Sequence, residues 1–506
     1  MLPLPEYLPL WYTVEPGKNR GWTPQTSHII RNNHNRDITN AWNGTIAPCP
    51  AKNATVTLNS LQIRTPIQVG GGSFPEGGIL PAQLGGVPVI PGSSLRGALL
   101  SWLNHQWATL PDDEQTFWQT LLQLDRSGWQ PRKIRFETIW LKELKPYPLH
   151  AQQDWQLFDQ KSNKLGVQWQ AAPNPYSKSP DKFVLQVQLA IPPTKDEKNW
   201  LETQIKAMLI QQGIGRGTAS GFGRLSERAP QGQWSLTLKG MKPCVQNHDK
   251  KKEQTGEYRW SPQVLRANLR GYFHRLALSV LAPNPAQTLT DKIFGGLGCP
   301  AQLVMPSYLQ PVGRTINSNA PQNGYANIPA KIVHEEWRII VDCNAPFQDL
   351  IGHLLDLASR LGGLGPGWRR PPHVLDSFNG YRGSEFSINN HTPDLKLTEL
   401  IKTLRTRIKQ LAKANHITIP NQPPQPTAGH IISIWQAPPT QWEKIVHGVC
   451  STKNAGKPDW CGSSDRRPSG YAIRQHTDYC LATVFDPAVE ATLRTHSFTK
   501  IWPASS

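Results

Sequence analysis

Residues 87–103, VPVIPGSSLRGALLSWL, carry a short apolar run into a helix through Pro91-Gly92-Ser93-Ser94. Val87 to Ile90 suits an extended segment, Pro91-Gly92 a turn, and Ser93 or Ser94 an N-cap for a helix starting near Leu95. Leu95, Leu99, Trp102 and Leu103 then share one helical face. A Gly-Ser-Ser turn at a helix start offers unpaired N–H groups, the positive helix end and two hydroxyls. Arg96 adds a fork that grips phosphate. Alone, the same residues also read as an ordinary cap beside a surface arginine.

Outward from this stretch, Thr55 to Arg64 alternates as a half-buried strand does, and Gly70 to Gly86 reads as a loop. Phe183 to Ile191 alternates strictly. Asp196 to Gln212 is a helix with Trp200, Leu201, Ile205, Met208 and Leu209 as its apolar stripe. The helix ends in GIGRGTASGFGRL (213–225). Glycines there let backbone approach a ligand, Arg216 and Arg224 supply charge, and Phe222 suits stacking on a base. No Lys-Ser/Thr follows the glycines, which excludes a P-loop, and the glycines sit after a helix, which excludes a dinucleotide fingerprint. Trp234 to Leu238 alternates again, and the polar run around HDKKKEQTGE reads as a linker.

The second half repeats this order. Ser261-Pro262 starts the helix of VLRANLRGYFHRLALSVL, residues 336–343 form a strand, and 347–361 form a helix that runs into GGLGPGWRRPPH. Residues 398–415 form a further basic amphipathic helix. The recurrence is the chief organisational feature.

Charge and composition limit the function classes. Lys and Arg number 54 against 36 Asp and Glu, a net charge of +18, with 46 Pro, 40 Gly and 19 Trp. The excess suits a polyanionic partner. No stretch approaches the roughly 20 apolar residues of a membrane helix. The Pro-interrupted N-terminus does not read as a signal peptide. Seven scattered cysteines point to a reducing cytoplasm.

The two glycine-bearing motifs together resemble the RAMP superfamily, the RNA-binding proteins of CRISPR systems. GVPVIPGSSLRGALLSWL is similar to the first-helix motif of backbone subunits of type III effector complexes. GIGRGTASGFGRL is similar to the superfamily's Gly-rich loop, in its usual place after the second helix. SPQVLRANLRGYFHRLAL (261–278), IFGG (293–296), LGGLGPGWRRPP (361–372) and DRRPSGYAIR (465–474) resemble the corresponding elements of a second such domain.

The resemblance implies an α+β protein of two tandem ferredoxin-like, RRM-related βαββαβ RAMP domains with insertions. These would span 1–240 and 258–506, with a linker at 241–257 and an insertion around 380–460. It implies a cytoplasmic subunit that binds CRISPR guide RNA, pairs it with target RNA and assembles with other type III subunits. The RNA-facing set would be Ser93, Ser94, Arg96, Gly215, Arg216, Phe222, Arg224, Arg266, Arg270, Arg369, Arg370, Arg466 and Arg467.

The alternative is an endoribonuclease of the same superfamily, cutting target RNA or the guide precursor, with a divalent metal such as Mg for cleavage. Target-cleaving members carry an aspartate before the Pro-Gly-Ser-Ser motif; here that loop holds only Glu76. Asp37 is a more distant acid. His28, His34, His105 and His274 are the residue type for acid–base work on a ribose hydroxyl. RNA binding itself requires no cofactor. His447, Cys450, Cys461 and Cys480, with His476 nearby, have ligand-like spacing for a structural zinc, though they match no standard finger.

Overall fold

The structure, a computed structural model, describes residues 55–70, 78–79, 82–84, 87–122, 133–141, 145–148, 167–170, 182–240, 244–245, 258–296, 298–310, 335–365, 367–375, 380–422, 424–425, 429–451, 456–462 and 469–503. Described residues up to Pro230 form one compact unit, and those from Gln231 onward form another. Among the described residues, no helix is long and apolar enough to cross a membrane.

The first unit is built on β1 (Val56–Ile63), α1 (Gly92–Gln106), α2 (Asp112–Leu122), β2 (Ile134–Phe136), β3 (Lys182–Leu189), α3 (Lys195–Gln211) and β4 (Leu225–Ser226). Its sheet runs β4-β1-β3-β2, and every neighbouring pair is antiparallel. With a helix in each crossover, this is the βαββαβ connectivity of ferredoxin-like proteins. Strand β1 buries Val56, Leu58, Leu61 and Ile63; a register shift between Leu58 and Leu61 keeps these on the core face. Leu95, Leu99 and Leu103 from α1 meet Leu201, Ile205 and Met208 from α3 in one core. Trp102, expected on the same face, is only half buried, and its indole N–H donates to Gln204 Oε1 at 3.0 Å.

Helix α1 begins earlier than its hydroxyls suggest. Its N-cap is Pro91, with no side-chain cap, so Ser93 and Ser94 lie inside the first turn. Gly70 to Gly86, read as a loop, also holds short strands at Gly78–Ile79 and Gln83–Leu84.

The second unit repeats the topology. Its elements are β5 (Trp234–Gly240), α4 (Pro262–Ala277), α5 (Pro283–Phe294), β6 (Ser307–Leu309), β7 (Trp337–Val341), α6 (Gln348–Leu361), β8 (Ser384–Ile388) and α7 (Leu397–Ala414). The sheet order is β6-β7-β5-β8, again antiparallel throughout. Numbered from its own first strand, this is the order of the first unit. Strand β5 is therefore the first strand of the second sheet. Within the expected linker, Cys244–Val245 pairs with Tyr258–Arg259 just beyond it, and 246–257 lie outside the described residues.

A third sheet follows, from β9 (Ser433–Ala437), β10 (Tyr471–Gln475), β11 (Cys480–Val484), α8 (Val489–Thr495) and β12 (Thr499–Trp502), in the order β10-β11-β9-β12. This is the same order once more, with a π-helical turn at Lys444–Val449 between β9 and β10. Its own core gathers Trp435, Trp442, Trp460, Tyr471 and Ile473. Within 380–460, β8 belongs to the second sheet and β9 to the third.

Candidate nucleic-acid interface

The loop 213–224 is pinned to the run after β1. The Arg216 N–H donates to the Gln68 carbonyl at 2.9 Å, Gly223 N–H to Pro66 at 2.8 Å, and Ile214 N–H to Gly223 at 2.9 Å. Two glycines make this approach possible. Gly215, at φ +95°, would place a Cβ 2.3 Å from the Gln68 oxygen, and Gly223, at φ +65°, would place one 1.9 Å from the Ile214 oxygen. The result is a fixed backbone edge with the Arg216 side chain exposed.

Arg224 and Phe222 serve the loop itself. Arg224 is 4% exposed; its guanidinium donates to the carbonyls of Gln211 and Thr218, and its N–H to Thr65 Oγ1 at 2.8 Å. Phe222 is buried and packs under Gly217, so its ring faces inward and not toward a base.

Main-chain bonds link this loop to the start of α1. Ala82 N–H donates to the carbonyl of Val69, next to Gln68, and Val89 N–H donates to Ala82. Val89 and Ile90 pair with Trp140 and Ile139, and Gly92 rests where a Cβ would lie 2.0 Å from the Phe136 oxygen. Ser93 is exposed, and Ser94 and Arg96 are half buried. The first turn contains no acid, so the positive helix end is uncompensated there. Ser93, Ser94, Arg96, Gly215 and Arg216 are thereby held on one hydrogen-bonded framework.

In the second unit Arg266 turns inward. Arg266 is 5% exposed and donates to the carbonyls of Phe294 and Leu303. Burial, with Arg270 nearby, lowers its pKa to about 10. Arg270 pairs with Asp291 at 2.6 Å. The Ile293–Gly296 element is therefore what this basic helix grips. Arg266 lies three and seven residues before Leu269 and Phe273, on the buried stripe, which is the sequence signal for its position. Arg369 donates to the Ser469 carbonyl and lies over Trp368 and Phe485. Arg370 is half buried. Sequence reading missed Arg275, which donates to Gly429 O at 2.6 Å and stacks 4.2 Å from the Phe485 centroid.

Glu76, Asp37, Arg466, Arg467, His28 and His34 lie outside the described residues. His105 bonds the Ser101 carbonyl, and His274 bonds Thr290 Oγ1 with its pKa lowered, chiefly by burial. The zinc set does not assemble. Cys450 and Cys461 form a disulfide, so neither offers a thiolate, and Cys480 is a buried thiol directed at the Pro438 carbonyl. Among the described residues, no group of three or more His, Cys, Asp or Glu could hold a metal. This pairing also departs from the expectation of reduced cysteines throughout.

Helix α7 buries Leu400, Ile401, Leu404, Ile408 and Leu411 within its unit, while Arg405 and Arg407 donate to the carbonyls of Ser279 and Pro346. Its basic residues partly serve packing.

No curated protein matches the chain. A crystal structure of Cmr1 from Pyrococcus furiosus in its apo form is similar at 12% identity and a TM-score of 0.27, covering 53% of this chain and 93% of that one. The model of the RAMP superfamily matches residues 60–226, the run that holds the second half of β1, all of α1 and the whole Gly-rich loop, and over that run the first unit is similar to the superfamily.

Proposed function

We propose that the chain is a guide-RNA-binding backbone subunit of a type III CRISPR ribonucleoprotein. The observation that carries this reading is the glycine-built edge at 213–224, which lies within the RAMP match, displays Arg216 and is bonded through Val69 and Ala82 to the start of α1. Exposed N–H groups, a helix N-terminus and an arginine bind phosphates without reading bases. Base pairing then selects the target. The recurrence of the first unit's strand order in the second supports two fused RAMP domains, and its third appearance extends the series. Neighbouring effector subunits and target RNA paired to the guide are the partners this reading requires.

Purifying the full chain from cells with an active CRISPR locus and sequencing the bound RNA tests it. Enrichment of short RNAs carrying repeat-derived sequence is expected. Bound RNA that mirrors total cellular RNA contradicts the role.

A further inference from the structure

Where the second and third sheets meet within the second unit, three half-buried arginines gather, Arg275, Arg369 and Arg370. Arg275 and Arg369 both face the Phe485 ring, with guanidinium carbons 4.2 and 5.7 Å from its centroid. Their hydrogen-bond partners are carbonyls, of Gly429 and Ser469. Arg370 lies beside the Tyr471 phenol. The neighbouring Arg474 and Arg360 differ, because each has a carboxylate, Glu385 and Asp356. No carboxylate is paired with Arg275 or Arg369 among the described residues.

The cluster also holds an orphaned hydroxyl. Tyr272 is 2% exposed, its hydroxyl has no hydrogen-bond partner, and it points at the backbone of Gly362, beside Trp368. Its ring packs on Trp368 at 5.5 Å, and Arg275, Arg369 and Arg474 all act on it electrostatically. The tyrosine stays neutral, since burial raises its pKa. The described residues therefore give Arg275 and Arg369 carbonyl partners and no carboxylate. Half-buried guanidinium groups that bond only carbonyls gain from an anionic partner, and an unbonded buried hydroxyl is costly. An oxyanion answers both, because it accepts from a hydroxyl and several guanidinium forks together.

We propose that Arg275, Arg369, Arg370 and Tyr272 form a site for a phosphate-like oxyanion at the junction of the second and third sheets. The anion would lock the third sheet onto the second. Its source is either free phosphate or a phosphate of an RNA backbone; the chemistry is the same. The inference does not depend on the guide-RNA reading, which rests on the first unit.

Thermal unfolding of the full chain tests it, in potassium phosphate against potassium chloride at equal ionic strength, and with a short oligouridylate added in chloride. Phosphate is expected to raise Tm by about 3 °C or more. Arg369→Gln should abolish the rise. Tyr272→Phe, which removes only the orphaned hydroxyl, should keep Tm in chloride and still lose at least about half of the rise. Arg216→Glu, in the other unit, should leave it intact. A rise with oligouridylate alone, lost in both site variants, identifies an RNA phosphate as the anion and also supports the site. No rise with either ligand, or equal rises in wild type and both site variants, overturns the proposal. So does loss of the phosphate rise in Arg216→Glu.

Discussion

The main-chain N–H of Arg216 donates to the carbonyl of Gln68 at 2.9 Å, so an exposed arginine rides on a backbone edge anchored to the run after β1. This approach depends on Gly215, whose φ of +95° and closeness to Gln68 exclude a side chain. Gly215→Ala should therefore destabilise the chain by about 1–3 kcal/mol and weaken RNA binding beyond what Arg216→Ala does. Denaturant unfolding and filter binding on both variants check this. Equal stability in wild type and Gly215→Ala contradicts the geometry.

Arg216 and Arg224 should separate stability from binding. Arg224→Met leaves the carbonyls of Gln211 and Thr218 without their buried donor, at a cost of about 1–3 kcal/mol. Arg216→Ala should change stability by no more than about 0.5 kcal/mol while weakening RNA binding. A reversed pattern in paired urea melts and RNA titrations would show the two roles to be exchanged.

His373 should make the second unit sensitive to mild acid. Burial, aided by the charges of Arg370 and His447, lowers its pKa from 6.5 to about 4, against a smaller opposing effect of its bond to the Pro371 carbonyl. Folded His373 thus stays neutral where the unfolded chain would take up a proton. Its contribution is complete above about pH 6.5 and is lost as pH falls toward 4, a span worth about 3 kcal/mol. His373→Gln should flatten the stability profile between those limits, measured by chemical unfolding at stepped pH. An unchanged slope contradicts the assignment.

The disulfide between Cys450 and Cys461 closes a short loop, with a sequence separation of 11, beside the third sheet's core. Reduction should lower stability by about 3 kcal/mol in the chain-entropy estimate. The purified chain should carry less than about 0.2 equivalents of zinc. Melts with and without a thiol reductant, and metal analysis, check the two halves of this prediction; stoichiometric zinc would contradict it.

Much of the first unit was legible because its elements keep clean periods. Strand β1 alternates, and α3 carries one apolar stripe between a Thr194–Glu197 capping box and Gly213. The third sheet was not legible, for a physical reason. Strand β11 buries every residue and β9 all but one, so neither alternates. Between β9 and β10 lies a π-helical turn, where the first two sheets have α-helices between their first and second strands. The candidate site divides the same way. Arg216 is where its glycine neighbours imply, whereas Arg224 is drawn inward by the carbonyls of Gln211 and Thr218, and Arg266 by those of Phe294 and Leu303. Composition reads such arginines as surface charge; the apolar stripe around Arg266 signals otherwise, whereas for Arg224 only the three-dimensional partners do.

The salt dependence of guide-RNA binding tests the central claim most directly. Wild type and the Arg96→Glu/Arg216→Glu variant are titrated with several guide RNAs of unrelated spacer sequence at a series of salt concentrations. The variant should bind every guide more weakly and should lower the magnitude of the log–log salt slope by about 0.7 for each phosphate no longer neutralised. Identical affinities and slopes for the two proteins would contradict a phosphate-binding interface at the first unit.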